Sequence, residues 1–234
     1  MFQMFQRRKT APTSKIRHLI TQLNPRSPIS EQFRTIRTNI QFSSVDEKIQ
    51  SILVTSPSAA NGKSMTAANI ATVYAQQGMK TLLIDADLRK PTVHYTFRLS
   101  NLRGLSNVLV GEAELEQAVE SSDIENLDIL SCGPIPPNPA ELLASRRMKE
   151  LLEETKKLYD FIIFDMPPAL AVTDAKILAN IVDGSLLVIR SGLTETDEAE
   201  KTAEMLQDSK ARLLGAVLND RPKNGSNYYY YYGS

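Results

Sequence analysis

Short apolar segments that resemble buried strands alternate with helical patterns along most of this chain. The apolar segments lie at 52–55, 81–84, 127–130, 161–164, 186–189 and 213–218. Helical patterns separate them at 64–77, 105–120, 140–158, 173–182 and 195–209. Strands without polar alternation are buried on both faces, which is typical of a parallel sheet between two layers of helices. The sequence therefore predicts an α/β, three-layer fold with a mostly parallel sheet.

Composition limits the classes of function. The 234 residues suit one domain with short tails, and 42% hydrophobic with 23% charged residues exclude a wholly disordered chain. Lys+Arg and Asp+Glu number 27 each, so we expect no nucleic-acid partner. The single cysteine, Cys132, excludes an intrachain disulfide and favours a reducing compartment. No apolar run approaches the roughly 20 residues that span a bilayer, so we expect a cytoplasmic protein.

A phosphate-binding loop is predicted between the first strand and the next helix. The strand ends at Ser56, and a tight loop leads to the helix start. In such loops backbone N–H groups surround the phosphates, a lysine reaches the β- and γ-phosphates, and a hydroxyl ligates Mg²⁺. The strict G-x-x-x-x-G-K-[ST] pattern has Pro57 in place of its first glycine. The nucleotide-binding residues predicted here are Ala60, Asn61, Gly62, Lys63, Ser64 and Met65.

Two acidic motifs accompany this loop. Asp85 and Asp87 follow the strand TLLI, and Asp165 follows the strand FIIF. Ligands of open α/β sheets bind at the carboxyl ends of the strands. Carboxylates placed there share Mg²⁺ and activate a hydroxyl, while Arg89 and Lys90 are placed to face phosphate. Three strands thus bring a phosphate loop and three carboxylates to one edge of the sheet.

Residues 1–26 form a basic N-terminal arm, since the first thirty residues hold six Lys/Arg and no Asp or Glu. Ser27 as N-cap and Pro28 as first residue predict a helix. Its predicted buried stripe is Ile29, Phe33, Ile36 and Ile40. A separate charged face carries Glu31, Arg34 and Arg37. That face is either a solvated, salt-bridged surface or a subunit contact.

The chain ends in a low-complexity tail, 222–234, after the domain predicted for 27–221. Five of the eight tyrosines are consecutive, Tyr228, Tyr229, Tyr230, Tyr231 and Tyr232. A buried aromatic strand would alternate and would not lie between Asn-Gly-Ser-Asn and Gly-Ser. The cluster therefore indicates a flexible array of phenols presented to another site.

Together these motifs resemble the bacterial tyrosine kinases of capsule and exopolysaccharide systems in Gram-positive bacteria. The resemblance covers roughly residues 27–234. It depends on the ordered set SPISEQFRTIRTNI, the loop ending in GKS, LLIDADLRKPTVH, GPIPPNPAELL, FDMPP and the tyrosine cluster. The family implies a P-loop fold that uses ATP and Mg²⁺ to phosphorylate tyrosines on neighbouring copies and on other proteins.

The resemblance also implies a role for individual residues. Lys63 would hold the β- and γ-phosphates, and Asp85 would be the base for the tyrosine hydroxyl. Ser64, Asp87 and Asp165 would organise the metal. The catalytic residues implied are Lys63, Asp85 and Asp87. Asn219, at the end of the last strand, is placed where relatives contact adenine.

Several partners are expected from the same resemblance. Glu31, Arg34 and Arg37 match the family's E-x-x-R-x-x-R motif, which is similar to the one that builds a ring of subunits. A separate transmembrane protein would activate the kinase through its cytoplasmic tail and recruit it to the inner face of the membrane. A cognate tyrosine phosphatase and protein tyrosine substrates complete the expected set.

Two alternative functions stay open, and the second is suggested by one departure from the family's pattern. Relatives carry Pro-Gly-x-Gly-Lys, whereas this chain has Ala59 and Ala60 before Asn61, Gly62 and Lys63. Alanine costs roughly 1 kcal/mol or more where φ is positive, so we expect glycine at position 60 to raise ATP affinity or basal activity. A ParA/MinD-like ATPase switch is one alternative. Such ATPases carry an extra lysine five residues before the invariant lysine, and this chain has Ser58 at that position. A weakly active regulatory scaffold is the other.

Overall fold

The structure is a computed structural model that describes residues 19–43 and 48–222. Seven strands of this part form one sheet, β1 (Ser51–Thr55), β2 (Thr81–Asp85), β3 (Val119–Ser121), β4 (Leu127–Leu130), β5 (Phe161–Asp165), β6 (Gly184–Arg190) and β7 (Arg212–Asn219). Their order is β3-β4-β2-β5-β1-β6-β7, and the pairings are parallel except for β3 with β4. The predicted mostly parallel sheet is confirmed.

The helices within the described residues are α1 (Ile20–Leu23), α2 (Pro28–Gln41), α3 (Lys63–Ala75), α4 (Val93–Phe97), α5 (Leu105–Val110), α6 (Leu115–Ala118), α7 (Pro139–Leu143), α8 (Arg146–Leu158), α9 (Asp174–Leu178) and α10 (Thr196–Gln207). Two apolar cores lie on the two faces of the sheet. Ile52 and Val54 of β1 face the core under α2 and α3, whereas Leu53 faces the core under α5 to α10. Alternate side chains of one strand are thus buried on opposite faces, as the apolar strand pattern predicts.

Two helices that were predicted to be continuous are divided in the structure. The pattern at 105–120 contains α5, α6 and the short edge strand β3, because Gly111 adopts a φ of +81° and ends α5. The pattern at 140–158 divides into α7 and α8, because Ser145 caps α8 by accepting the N–H of Met148. The single turns α1 and α4 were not predicted, since short helices give little periodic signal.

Helix α2 starts where it was predicted to start, but its buried apolar stripe is shorter than predicted. Ser27 accepts the N–H of Ser30 at 3.1 Å, and Pro28 occupies the first turn. Phe33, Ile36 and Ile40 pack on the core, whereas the prediction for Ile29 is wrong because that side chain is exposed. Helix α2 begins one position before Ile29, so this residue lies at the helix end, beyond the core that α3 provides.

Part of the segment predicted as the basic arm lies on the domain. Thr21 of α1 is buried, and its N–H and hydroxyl both donate to Oδ1 of Asn69 on α3, at 3.2 and 2.8 Å. Gln76 donates to the carbonyl of Thr21 at 3.0 Å. Residues 1–18 of the arm lie outside the described part of the chain.

The carboxylate of Asp183 joins β1 to α8 at the edge of the sheet opposite the acidic motifs. It accepts the N–H groups of Gln50 and Ser51 at 3.0 and 2.8 Å, and the Ser51 hydroxyl at 2.9 Å. Lys156 donates to its other oxygen at 2.8 Å. Burial alone would raise the pKa of Asp183, but the hydrogen bonds from Lys156 and Ser51 outweigh burial and lower the pKa.

We expect Asp183→Asn to lower the free energy of unfolding by about 1–2 kcal/mol at pH 7, because it removes charge-assisted hydrogen bonds. Since the native pKa is lowered, this stabilisation is present above roughly pH 4 and is lost as the pH falls through the native pKa. Urea unfolding of both proteins between pH 7 and 3 measures the difference. Asp208→Asn, at an exposed position, is the control. A pH-independent difference would contradict this account.

Candidate active site

The register of the sheet brings the predicted site residues together. Strand β5 lies between β2 and β1, with Asp165 opposite both Asp85 and Val54. The loop after β1 therefore begins beside the carboxyl ends of β5 and β2. This is the edge at which open α/β sheets bind ligands.

Two residues of the loop have a left-handed backbone. Ala60 has a φ of +65° and Gly62 a φ of +90°. A Cβ on Gly62 would lie 2.1 Å from Nδ2 of Asn219, so the absence of a side chain also allows a close approach. The thirteen-residue helix α3 starts at Lys63 without a side-chain N-cap. Its first N–H groups thus lack a capping side chain, which suits an anion at this helix end.

Lys63 is the centre of the charged network. Its Nζ donates to Oδ2 of Asp87 at 3.1 Å, to Oδ1 of Asp165 at 3.3 Å and to Oγ of Ser64 at 3.4 Å. The side chain of Asp165 is fully buried, and that of Asp87 is 7% exposed. Burial would lower the pKa of Lys63, but the two carboxylates outweigh burial and raise the pKa, so the ammonium remains charged.

Asp85 is buried and its oxygens meet backbone donors. Oδ2 accepts the N–H groups of Thr92 and Val93, both at 2.9 Å, and Oδ1 accepts the N–H of Asp87 at 3.3 Å. Burial, reinforced by the nearby charge of Asp165, raises the pKa of Asp85 to about 7. A carboxyl group of that pKa is suited to exchanging a proton near neutral pH.

The loop after β2 orients Asp87. The N–H of Lys90 donates to Oδ1 of Asp87 at 3.0 Å, and that of Arg89 at 3.4 Å. The Arg89 guanidinium donates two hydrogen bonds to the buried carboxylate of Asp174, at 2.9 and 3.0 Å. The expectation that Arg89 faces phosphate is therefore wrong, because Asp174 at the start of α9 binds its side chain. Lys90 is exposed.

The oxygen atoms at this site suit a magnesium ion that is bound by protein oxygens and phosphate oxygens together. Oδ2 of Asp165 is buried and makes no hydrogen bond within the described residues. In the same part of the chain, no three His, Cys, Asp or Glu side chains form a metal cluster by themselves. Mg²⁺ is usually held by one or two carboxylates together with substrate phosphates and waters. The predicted ligands Ser64, Asp87 and Asp165 lie around Lys63 in a manner that suits such a site.

The remaining predicted residues occupy different surroundings. Asn219 lies beside the loop, and its Nδ2 donates to the carbonyl of Asn61 at 2.9 Å. Met65 packs against the apolar core under α3. Arg34 contacts Glu31 and the carbonyl of Pro25 on the N-terminal side of α2. The tyrosine cluster, 228–232, lies outside the described residues.

Arg190 and Asp220 adjoin the loop and were missed by the sequence analysis. Arg190 is the last residue of β6, and its guanidinium contacts both the carbonyl of Ala60 and the carboxylate of Asp220. Thr194 donates to Oδ1 of Asn61 at 3.1 Å. A polar residue directly after an apolar strand was the available signal, as it was for Asp85 and Asp165.

Comparisons with known proteins agree with this geometry. A family model described as an AAA domain matches residues 49–194. Tyrosine-protein kinase YwqD of Bacillus subtilis is 53% identical over 227 residues, 97% of this chain and 96% of that protein. Tyrosine-protein kinase CpsD of Streptococcus agalactiae serotype Ia is 37% identical over 209 residues, 89% of each. The chimerical protein CapA2B2 superposes with a TM-score of 0.85 at 45% identity, over 88% of this chain and 90% of its own. The predicted family resemblance is confirmed.

Ala60 adopts a left-handed backbone in the folded chain, so the cost of that conformation lowers the stability of the fold. Glycine removes the steric cost of a left-handed backbone, about 1–2 kcal/mol, which exceeds the extra backbone entropy that glycine loses on folding. We therefore expect Ala60→Gly to raise the free energy of unfolding by about 0.5–1 kcal/mol. Thermal and urea unfolding measure the change. Ala59→Gly is the matched control, because Ala59 is equally exposed but has no positive φ. Equal effects of the two substitutions would contradict the prediction.

Proposed function

The chain belongs to the bacterial tyrosine-protein kinase family, and from that premise we propose that it uses ATP and Mg²⁺ to phosphorylate tyrosines, including its own C-terminal cluster. The observation that carries the proposal is the position of the Lys63 ammonium. It lies at the uncapped start of α3 and within 3.3 Å of both Asp87 and Asp165. The cation proposed to bind phosphate thus lies beside two carboxylates proposed to bind the metal.

Each residue of the site has a proposed task. Lys63 binds the β- and γ-phosphates, and the N–H groups of the loop from Ala60 to Met65 surround them. Ser64, Asp87 and Asp165 hold Mg²⁺. When bound, ATP-Mg²⁺ supplies the phosphoryl group and neutralises the charge that develops during transfer. Asn219 borders the loop on the side proposed for adenine.

Asp85 is proposed to accept the proton of the tyrosine hydroxyl. The raised pKa of its carboxyl group supports this role, since a base with a pKa near the working pH accepts protons efficiently. The N–H groups of Thr92 and Val93 fix one of its oxygens. Asp87, by contrast, contacts Lys63 directly and is proposed to act on the metal.

We expect Lys63→Met and Asp85→Asn each to lower the rate of tyrosine phosphorylation by about 10²-fold or more, because phosphoryl transfer depends on positioning and charge. Phosphotyrosine formed from ATP-Mg²⁺ is the measurement. Lys149→Met, at an exposed position on α8, is the control. Full activity of either site variant would remove that residue from the mechanism. Hydrolysis of ATP without phosphotyrosine would indicate the ATPase switch, and absence of both would indicate the scaffold.

The tyrosine cluster is proposed to be phosphorylated in trans, by a neighbouring copy. Strand β7 ends beside the phosphate loop, so the tail begins near the active site of its own subunit. The Gly, Ser and Asn residues that flank the tyrosines are typical of linker sequences, and this composition supports a reaction between two copies. Each phosphate adds about −1.5 to −2 charges, so five would add roughly −8 to −10 to a chain with equal numbers of basic and acidic residues. Such repulsion is proposed to dissociate the oligomer.

We expect an active copy to phosphorylate the tyrosines of an inactive copy, with ATP as the phosphoryl donor. The active copy has phenylalanine at Tyr228–Tyr232, and the inactive copy carries Lys63→Met with its tyrosines intact. Mass spectrometry of the mixture should find phosphotyrosine on the inactive copy. The inactive copy alone is the control. Normal autophosphorylation of the wild type with no transfer in the mixture would mean a reaction in cis.

The charged face of α2 is proposed as the contact between copies in a ring. Glu31 is exposed, and Arg34 is partly exposed beside it. The Arg37 guanidinium instead donates to the carbonyl of Val73 on α3 at 2.9 Å. Arg37 therefore also serves its own subunit, whereas Glu31 and Arg34 have less contact with the domain and are the better probes of a subunit contact.

We expect Arg34→Ala to reduce the mass of the assembly measured by light scattering, because arginine forks bind carboxylates of a neighbouring surface. Gln32→Ala, at an exposed position on the same helix, should leave the mass unchanged. An unchanged mass for both variants would make this face a solvated surface.

We propose that this kinase is regulated in the way that its family resemblance implies. A transmembrane activator would bind the kinase through its cytoplasmic tail at the inner face of the membrane, and a cognate tyrosine phosphatase would reverse the modification in exopolysaccharide synthesis. Within residues 19–43 and 48–222, no helix has the length and apolar character needed to cross a bilayer. The rate of phosphotyrosine formation with and without a peptide of the activator tail tests the first step.

A further inference from the structure

One guanidinium connects the phosphate loop to the end of the last strand. Arg190 is paired with Asn219 in the final rung of the β6–β7 ladder. Its Nε and Nη2 donate to Oδ2 of Asp220, at 2.9 and 2.6 Å. Its Nη1 donates to the carbonyl oxygen of Ala60 at 3.2 Å. Three segments that are distant in sequence thus meet at one side chain.

Both partners of this arginine have an unusual backbone. Four residues other than glycine have a positive φ among the described residues, and two of them are Ala60 at +65° and Asp220 at +57°. Left-handed conformations are disfavoured for residues with a Cβ and persist where the surrounding contacts hold them. The Arg190 guanidinium contacts both residues, so it is placed to stabilise both conformations.

The contact at Ala60 fixes a peptide plane of the loop. In a trans peptide the C=O and the following N–H point in opposite directions, and the described residues contain no cis peptide. Binding of the Ala60 carbonyl by Arg190 therefore directs the Asn61 N–H away from this arginine. Asn219 binds the Asn61 carbonyl at 2.9 Å and fixes the next plane in the same way. Backbone N–H groups of such a loop are the donors for phosphate.

A neighbouring hydroxyl reinforces the arrangement. Thr194 Oγ1 accepts the N–H of Arg190 at 2.9 Å and donates to Oδ1 of Asn61 at 3.1 Å. The ends of β6 and β7 therefore support two consecutive residues of the loop, Ala60 and Asn61. Neither contact involves Lys63 or the acidic motifs.

We propose that Arg190, oriented by Asp220, is a positioning residue that holds the loop at Ala60 in its phosphate-binding conformation. The proposal deepens the proposed function, because it assumes that this loop binds nucleotide phosphates. It explains how a loop with alanine at position 60 keeps a left-handed residue there. The guanidinium compensates for part of the conformational freedom that glycine would provide.

The test is a double-mutant cycle on the full chain, with fluorescent ADP and Mg²⁺ as the probe. We expect Arg190→Gln to weaken ADP binding roughly threefold to tenfold, a modest loss because the Arg190 side chain is 38% exposed. Adding Ala60→Gly should restore the affinity to within about twofold of the Ala60→Gly protein, since glycine needs less support in this conformation. Arg146→Gln, which breaks an Arg–Glu pair on α8, is the matched control and should bind ADP as the wild type does.

The outcomes separate this proposal from the proposed function. If the wild type does not bind ADP, the proposed function and the positioning role both fail. If the wild type binds and Arg190→Gln binds equally well, only the positioning role is overturned. A loss that Ala60→Gly does not restore also overturns it, because it would indicate general damage to the ends of β6 and β7.

A second variant keeps the test decisive if Arg190→Gln does not fold. Asp220→Asn conserves the shape of an exposed side chain and removes the charge that orients Arg190. We expect ADP binding about twofold to fivefold weaker, again restored by Ala60→Gly. Unchanged affinity would overturn the role of the pair. Thermal unfolding of every variant confirms that the compared proteins are folded.

Discussion

The candidate active site depends on one buried ammonium group that lies among carboxylates. Lys63 lies between Asp87 and Asp165, and Asp85 is buried beside them. A charge removed from water is tolerated only when it is paired, and loss of one partner leaves the others uncompensated. Burial, reinforced by the charge of Asp165, raises the pKa of Asp85, and three carboxylates around one ammonium suit a site for a divalent cation.

The order and register of the strands determine where these charges lie. Asp85 and Asp165 are opposite each other because β5 is inserted between β2 and β1. The strands beneath are buried on both faces, and Tyr74 of α3 stacks on Phe161 with ring centroids 3.7 Å apart. Helix α3 is thereby fixed against the sheet, and its N-terminus is fixed above the carboxylates. The apolar layers therefore determine where the charged groups meet.

The loop between β1 and α3 has a left-handed backbone at two residues and receives hydrogen bonds from other segments. Gly62 accepts its left-handed backbone readily, whereas Ala60 adopts one against its preference. Hydrogen bonds from Arg190, Thr194 and Asn219 reach the loop from the ends of β6 and β7. A loop that receives such hydrogen bonds is coupled to the ends of β6 and β7.

The sequence by itself determined the six apolar strands, the capped start of α2, the loop before α3 and the three acidic residues at strand ends, because each of these has a local signal in periodicity or capping. It missed the edge strand β3, the division of two helices and the exposure of Ile29. Only the tertiary structure decided that Arg89 binds Asp174 and that Arg190 binds Ala60. Such contacts join residues about 85 and 130 positions apart, and they follow from strand order and backbone conformation. No local pattern of residues encodes that order, since it results from how the two apolar faces of the sheet are covered together.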